Sequence, residues 1–138
     1  MLVIRIVIVV FALAATFASP ATHAQVYPAK QLRLVVPYPA GGGTDFFARV
    51  IGAQLSLQLG QQVVIENRPG AATIIGAEAV VKSAPDGYTL LLGDTATFAV
   101  NPILYRKLPF DPQKDLAPIS LTGRFALLLV VNPAKISA

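Results

Sequence analysis

The chain is 138 residues long, 54% apolar and 13% charged, with a formal net charge of +4 and no cysteine. That length suits one modest domain, and the apolar content excludes a disordered chain. The basic residues are scattered, Arg106-Lys107 being the one adjacent pair, so the charge forms no nucleic-acid-binding stripe and draws small anions only weakly.

Residues 1–24 read as a secretory signal peptide. Arg5 is the only charge before Lys30, and Leu2–Ile4 and Ile6–Ala15 are an almost unbroken apolar run. Ser19-Pro20 breaks that run, and Ala21-Thr22-His23-Ala24 places small residues around a cleavage position. The run is short for a membrane span, which needs about 20 residues. Cleavage after Ala24 removes Arg5 and His23 and leaves a net charge of +3, with neither Cys nor His. Such a chain has no Ser-His-Asp or Cys-His catalysis and no zinc site built on His or Cys. No metal and no cofactor is expected, and composition favours a binder over an enzyme.

Strand-like and helix-like patterns then alternate. Leu32–Val36 is a short apolar run stopped by Pro37, followed by Tyr38-Pro39-Ala40-Gly41-Gly42-Gly43, which no regular structure accommodates. Thr44 is the expected N-cap, with Asp45 in the first turn where a negative charge is favoured. Asp45, Arg49, Gly52 and Ser56 give helical spacing up to Leu59, and Gly60 is the expected stop. Gln62–Glu66 is the second strand, Asn67-Arg68-Pro69-Gly70 a turn, and Thr73 or Gly76 opens a short helix through Val81-Lys82. Pro85-Asp86-Gly87 is a turn, Tyr88–Leu92 the third strand, and Gly93-Asp94-Thr95 the loop beyond it. A short helix is expected over Pro102–Tyr105, irregular chain over 106–117, and a further buried strand over Leu127–Val131. Phe46, Phe47 and Phe98 are expected in the core.

Strand–loop–helix units at this spacing imply an α/β fold with a mostly parallel sheet and helices on its faces. Ligands of such sheets bind beyond the carboxyl ends of the strands. Three loops meet that edge: 37–44, 67–73 and 93–101. In the first, the glycines allow close backbone approach, and a helix whose first N–H groups lack internal partners follows. A carboxylate or phosphate can bind there without a cationic side chain. There is no Lys after the glycines, as a P-loop requires, and Phe46 stands where a dinucleotide fingerprint needs its last Gly. Asp45 competes with an anionic ligand for the same field, unless it orders the loop, holds a water or meets an ammonium group. Asp94-Thr95-Ala96-Thr97 offers hydroxyls and N–H groups to a carboxylate or to water. Arg68 in the second loop is a candidate anion partner or a solvated turn residue. Paired carboxylates suited to acid–base chemistry are not evident.

Several blocks together resemble a known family. They are Leu34-Val35-Val36-Pro37-Tyr38-Pro39-Ala40-Gly41-Gly42-Gly43-Thr44-Asp45, Val64-Ile65-Glu66-Asn67-Arg68-Pro69-Gly70-Ala71, Ala84-Pro85-Asp86-Gly87-Tyr88-Thr89-Leu90, Asn101-Pro102 with Tyr105, and Phe110-Asp111-Pro112 with Lys114–Pro118. In order and spacing they resemble the tripartite tricarboxylate transporter substrate-binding proteins, or Bug-type receptors. The resemblance implies a periplasmic binding protein-like (type II) architecture of two lobes closing around a small carboxylate. It implies a monomer that delivers its ligand to a membrane permease. Members are about twice this length, as two lobes of ordinary domain size require. On that basis 25–131 is the first lobe, incomplete, and 132–138 begins the crossover to a second. The family's ligand-gripping loops correspond to Tyr38–Asp45 and Thr95–Asn101, which hold a carboxylate partly through ordered water. The implied ligand-binding residues are Tyr38, Ala40, Gly41, Gly42, Gly43, Thr44, Asp45, Thr73, Thr95, Ala96, Thr97 and Asn101. The family's second loop carries glycines and an Asn where this chain has Ala71-Ala72-Thr73-Ile74-Ile75-Gly76, with Thr73 as the replacement polar group. A sensor subunit for a membrane signalling partner, and a hydrolase using the glycine loop as an oxyanion site, are the alternatives.

Overall fold

The computed structural model describes residues 27–124; the signal segment and the Leu127–Val131 strand expected from sequence lie outside the described residues. Three parallel strands, β1 (Leu32–Val36), β2 (Val63–Asn67) and β3 (Thr89–Leu91), form a sheet in the order β2-β1-β3. The central strand pairs Leu32 with Val63 through Val36 with Asn67 on one side, and Arg33 with Thr89 through Val35 with Leu91 on the other. The central position explains the composition of β1: all its residues but Arg33 are buried. The outer strands are largely half-buried, so their apolar runs do not reflect full cover on both faces.

Helix α1 (Gly43–Leu59) crosses from β1 to β2, and α2 (Ile74–Val81) crosses back from β2 to β3. Right-handed crossovers to opposite sides of β1 put the two helices on opposite faces of the sheet. On one face, Leu32, Leu34, Val36 and Val63 pack with Ala48 of α1, flanked by Leu55, Leu59 and Ile65. Gly52 lets α1 close on β2, since a Cβ there would stand 2.8 Å from Cδ1 of Ile65. On the other face, Gly76 of α2 sits against Pro37 and the Arg68 carbonyl. Gly60 ends α1 at φ +64°, the left-handed conformation expected of a C-terminal glycine.

Four sequence expectations are corrected. Helix α1 starts two residues earlier than expected, with Gly42 rather than Thr44 at the N-cap and no side-chain cap. The segment after β3 is not an open loop: Ala96–Val100 forms one wide i→i+5 turn that runs into α3 (Asn101–Leu104). It starts because the Asp94 carboxylate accepts from the Ala96 N–H at 3.0 Å and the Thr97 N–H at 3.3 Å. Phe46 is 71% exposed, because α1 turns Asp45, Ala48 and Gly52 inward and Phe46 lies off that stripe. Phe98 is 43% exposed, its ring covering Gly93.

The chain entering β1 is clipped to the turn before β3. Tyr27 donates to the Gly87 carbonyl, and the Ala29 N–H donates to Tyr88 Oη. Lys30 lies 4.3 Å from the Tyr88 ring centroid and pairs with Asp86. This clip is at the amino ends of the strands, opposite the three loops. No described helix is long and apolar enough to cross a membrane.

Candidate functional site

Because all three strands run parallel, the segments after Val36, Asn67 and Leu91 emerge at one edge of the sheet. The first is the glycine loop. Ala40, Gly41, Gly42 and Gly43 are exposed and Thr44 half-exposed. Gly41 has φ +85°, which the absence of a Cβ makes accessible. Since the N-cap is a glycine, it offers no side-chain oxygen to the first-turn amides of α1. The N–H groups of Gly43, Thr44 and Asp45 have no intrahelical acceptor, and they carry the positive end of the helix dipole.

Asp45 is 3% exposed and its carboxylate is turned onto the protein. One oxygen accepts from the Gly41 N–H at 2.9 Å and from Arg49 Nε at 3.0 Å; the other accepts from Asn67 Nδ2 at 3.0 Å. The hydrogen bonds from Arg49, Gly41 and Asn67 hold its pKa down, from 3.8 to about 2. The carboxylate reaches back past the N-cap Gly42 to the Gly41 N–H, which ties the end of the glycine loop to α1. Of the roles open to Asp45 in the sequence, this geometry performs loop ordering, and Arg49 offsets its charge beside the open amides. Asn67 Nδ2 also donates to the Tyr38 carbonyl at 3.1 Å, tying the start of the first loop to the end of β2.

The second loop carries backbone strain. Ala71, Ala72 and Thr73 have φ +46°, +50° and +78°, three consecutive non-glycine residues in a region that costs roughly 1–2 kcal/mol each. Such strain persists where surrounding contacts enforce it. Here buried Asn101 donates through Nδ2 to the Ala72 carbonyl at 2.6 Å and to Thr73 Oγ1 at 3.2 Å, and Thr97 Oγ1 meets Thr73 Oγ1 at 3.0 Å. Replacing Ala72 by Gly is expected to stabilise the fold by about 1 kcal/mol. Urea unfolding checks this, through a raised midpoint with an unchanged m-value.

Of the residues assigned from sequence, Tyr38, Ala40, Gly41–Gly43, Thr44 and Asp45 form one segment, and Thr73, Thr97 and Asn101 form a buried cluster facing the second loop. Ala96 enters through its N–H to Asp94, and Thr95 is exposed. Tyr38 joins the two groups by donating its hydroxyl to Asp94 Oδ2. Arg49, Asn67 and Asp94 are absent from the sequence assignment. The Asp45–Arg49 spacing is that of a helical ion pair, and Asp94 stands where a side-chain-capped turn begins; both were legible. Nothing local marks Asn67. Arg68 is tied to Glu66, beside Arg33.

Among the described residues, no three His, Cys, Asp or Glu side chains gather as metal ligands. An open depression lined by Lys30, Arg33, Ser83, Asp86, Tyr88 and Thr89 lies at the amino ends of the strands. Lys30 and Arg33 there are paired with Asp86 and Glu66. The carboxyl-end loops, with open amides, are the better site.

Comparisons with known proteins agree with this geometry. The chain is 45% identical over 128 residues to the protein BugT of Bordetella pertussis, covering 92% of this chain and 39% of that protein. It thus spans about two fifths of that curated relative's length. Among solved structures, MatC from Rhodopseudomonas palustris with bound malate is 40% identical, with a TM-score of 0.62 over 64% of this chain and 30% of that one. The periplasmic binding protein BugD is 38% identical, with a TM-score of 0.61 over 64% of this chain and 29% of that one. The parallel sheet with its crossing helices is therefore an α/β lobe of the periplasmic-binding-protein type. A family model described as the tripartite tricarboxylate transporter family receptor matches residues 47–137, beginning just past the glycine loop. With two thirds of its length matched by that model, the chain belongs to the tripartite tricarboxylate transporter receptor family.

Proposed function

We propose that this chain is the ligand-gripping first lobe of an extracytoplasmic solute receptor. It seats one carboxylate of a small organic acid on the first-turn amides of α1 and serves a tripartite tricarboxylate-type permease in the membrane. The observation that carries the reading is the glycine-capped N-terminus of α1, with Gly42 and Gly43 exposed and the nearby Asp45 carboxylate turned away onto Gly41, Arg49 and Asn67. An anion there gains charge-assisted hydrogen bonds and the helix dipole without an arginine clamp. Thr44 and Thr95 add hydroxyls, and the Thr73–Thr97–Asn101 cluster forms the facing wall. Malate bound to MatC, a relative of the same fold, supports a dicarboxylate as the ligand class. Export through residues 1–24 would place the receptor in the periplasm, where it acts as a monomer and carries out no chemistry on its ligand.

The test is a titration of the 15N-labelled chain with malate, followed by amide NMR. Saturable shifts are expected first at Gly42, Gly43 and Thr44. A dissociation constant of about 1 mM corresponds to about 4 kcal/mol, within reach of a few such bonds. Neutral dimethyl malate should leave these signals in place. Shifts centred elsewhere, or none up to about ten times that concentration, would overturn the reading.

A further inference from the structure

We infer that Asp94 is a positioning residue for the carboxylate seat: through Tyr38 it fixes the glycine loop, and through Thr97 it fixes Thr73 and Asn101, without touching the ligand. This rests on the function proposed above and adds the frame that holds its site in shape.

The Asp94 carboxylate accepts the Tyr38 hydroxyl on Oδ2 and the Ala96 and Thr97 N–H groups on Oδ1, with Thr97 Oγ1 at 3.4 Å from Oδ1. It makes no ion pair among the described residues, so neutral dipoles hold its charge. Tyr38 is fastened at both ends, its hydroxyl on Asp94 and its carbonyl on Asn67, which also binds Asp45. Burial first, and then the hydrogen bond to Asp94 and its charge, push the Tyr38 phenol up to about 12. The phenol therefore remains a donor throughout the physiological range.

On the other side, proton counting closes a relay. Thr97 has one hydroxyl proton, and its oxygen lies 3.0 Å from Thr73 Oγ1 and 3.4 Å from Asp94 Oδ1. When Thr97 donates to Asp94, Thr73 donates to Thr97 and Asn101 donates to Thr73. The side chains of Tyr38, Asp94, Thr97, Thr73 and Asn101 then satisfy one another in a chain that crosses all three loops. A carboxylate oxygen taking the hydroxyl proton of Thr73 or Thr97 would break that chain. The amides are left to meet the acid, and the buried polar side chains act as their frame.

The test uses the full chain with Tyr38→Phe, Asp94→Asn and the double variant. Asparagine is a good helix-cap acceptor, so Asp94→Asn keeps the turn while removing the charge. Without ligand, Tyr38→Phe should shift the amides of Ala96 and Thr97, and Asp94→Asn should shift those of Gly41 and Gly42. In chain labelled at tyrosine 13Cζ, Asp94→Asn should bring the Tyr38 titration down towards that of an ordinary tyrosine. With malate as probe, Tyr38→Phe should weaken binding about tenfold, the loss of one hydrogen bond to a charged group. The double variant should bind no worse than the weaker single one. A role confined to overall stability would lower the melting midpoint and leave malate affinity unchanged, whereas independent contributions of the two residues would give additive losses. Shifts confined to the mutated loop, an unmoved Tyr38 titration, undiminished malate affinity in Tyr38→Phe, or additive losses each overturn the inference. If the unaltered chain binds no malate, the proposed function fails, while the ligand-free spectra still decide whether Asp94 joins the loops.

Discussion

Replacing Gly76 by alanine is expected to destabilise the fold by about 3 kcal/mol, at the upper end of overpacking costs. A Cβ at this position would stand 2.8 Å from Pro37 Cβ, 2.9 Å from the Arg68 carbonyl oxygen and 3.0 Å from Pro37 Cα. Two of those three atoms are backbone and the third belongs to a rigid ring, so no rotamer change relieves the contact. Alanine is otherwise the better helix former by about 1 kcal/mol, so propensity alone predicts the opposite sign. The clash wins because Gly76 lies where α2 meets the ends of β1 and β2, and moving α2 would also move the strained second loop. Thermal unfolding checks this: the midpoint should fall by more than about 10 °C, whereas an unchanged or raised midpoint would show that α2 does not pack so closely. Gly52→Ala makes a useful contrast. Its nearest neighbour is the flexible Cδ1 of Ile65, so a milder loss is expected.

Asp45→Asn is expected to weaken malate binding about tenfold, the loss of at least one hydrogen bond to a charged group. The native carboxylate accepts three donors, from Gly41, Arg49 and Asn67. An amide in its place must turn its NH2 towards at least one of them, so one contact becomes donor against donor. The Gly41 N–H or the Asn67 side chain is released, and the glycine loop loses its set position. Calorimetry with malate measures the loss; unchanged affinity would show that the loop holds its shape without this carboxylate. The same variant also has a pH signature. The folded-state pKa of Asp45 is lowered from 3.8 to about 2, so its contribution to stability is complete above about pH 4 and is lost as pH falls through about 2. Asp86 and Asp111 are also held low, by hydrogen bonds led by the Tyr88 N–H and the Lys114 side chain respectively. They titrate in the same direction. The melting temperature of Asp45→Asn should therefore fall less steeply than that of the unaltered chain between about pH 4 and 2, without becoming flat.

Much of the scaffold was legible in the residues. The strand-like runs at Leu32–Val36, Gln62–Glu66 and Tyr88–Leu92, the 3.6-residue spacing from Asp45 to Ser56 and the stop at Gly60 are local signals, and each element formed within a few residues of its expected place. The grouping of three loops at one edge followed from parallel strands. Sequence alone misplaced features whose outcome depends on partners far along the chain. Phe46 reads as core by type, but its place on α1 faces solvent. Residues 96–100 read as loop, but the Asp94 side chain starts a wide turn there that runs into the expected short helix.

The sequence by itself determined that this is an α/β lobe with a glycine loop leading into a helix, because periodicity, glycine and turn chemistry act between neighbours a few positions apart. Only the tertiary structure decided which polar groups are left open and which face one another. Asn67 reaches Asp45 across 22 positions, Thr97 reaches Thr73 across 24 and Tyr38 reaches Asp94 across 56. Hydrogen bonds depend on distance within a few tenths of an ångström and on direction. The β2-β1-β3 order and its register set those distances, and no local pattern of residues encodes them.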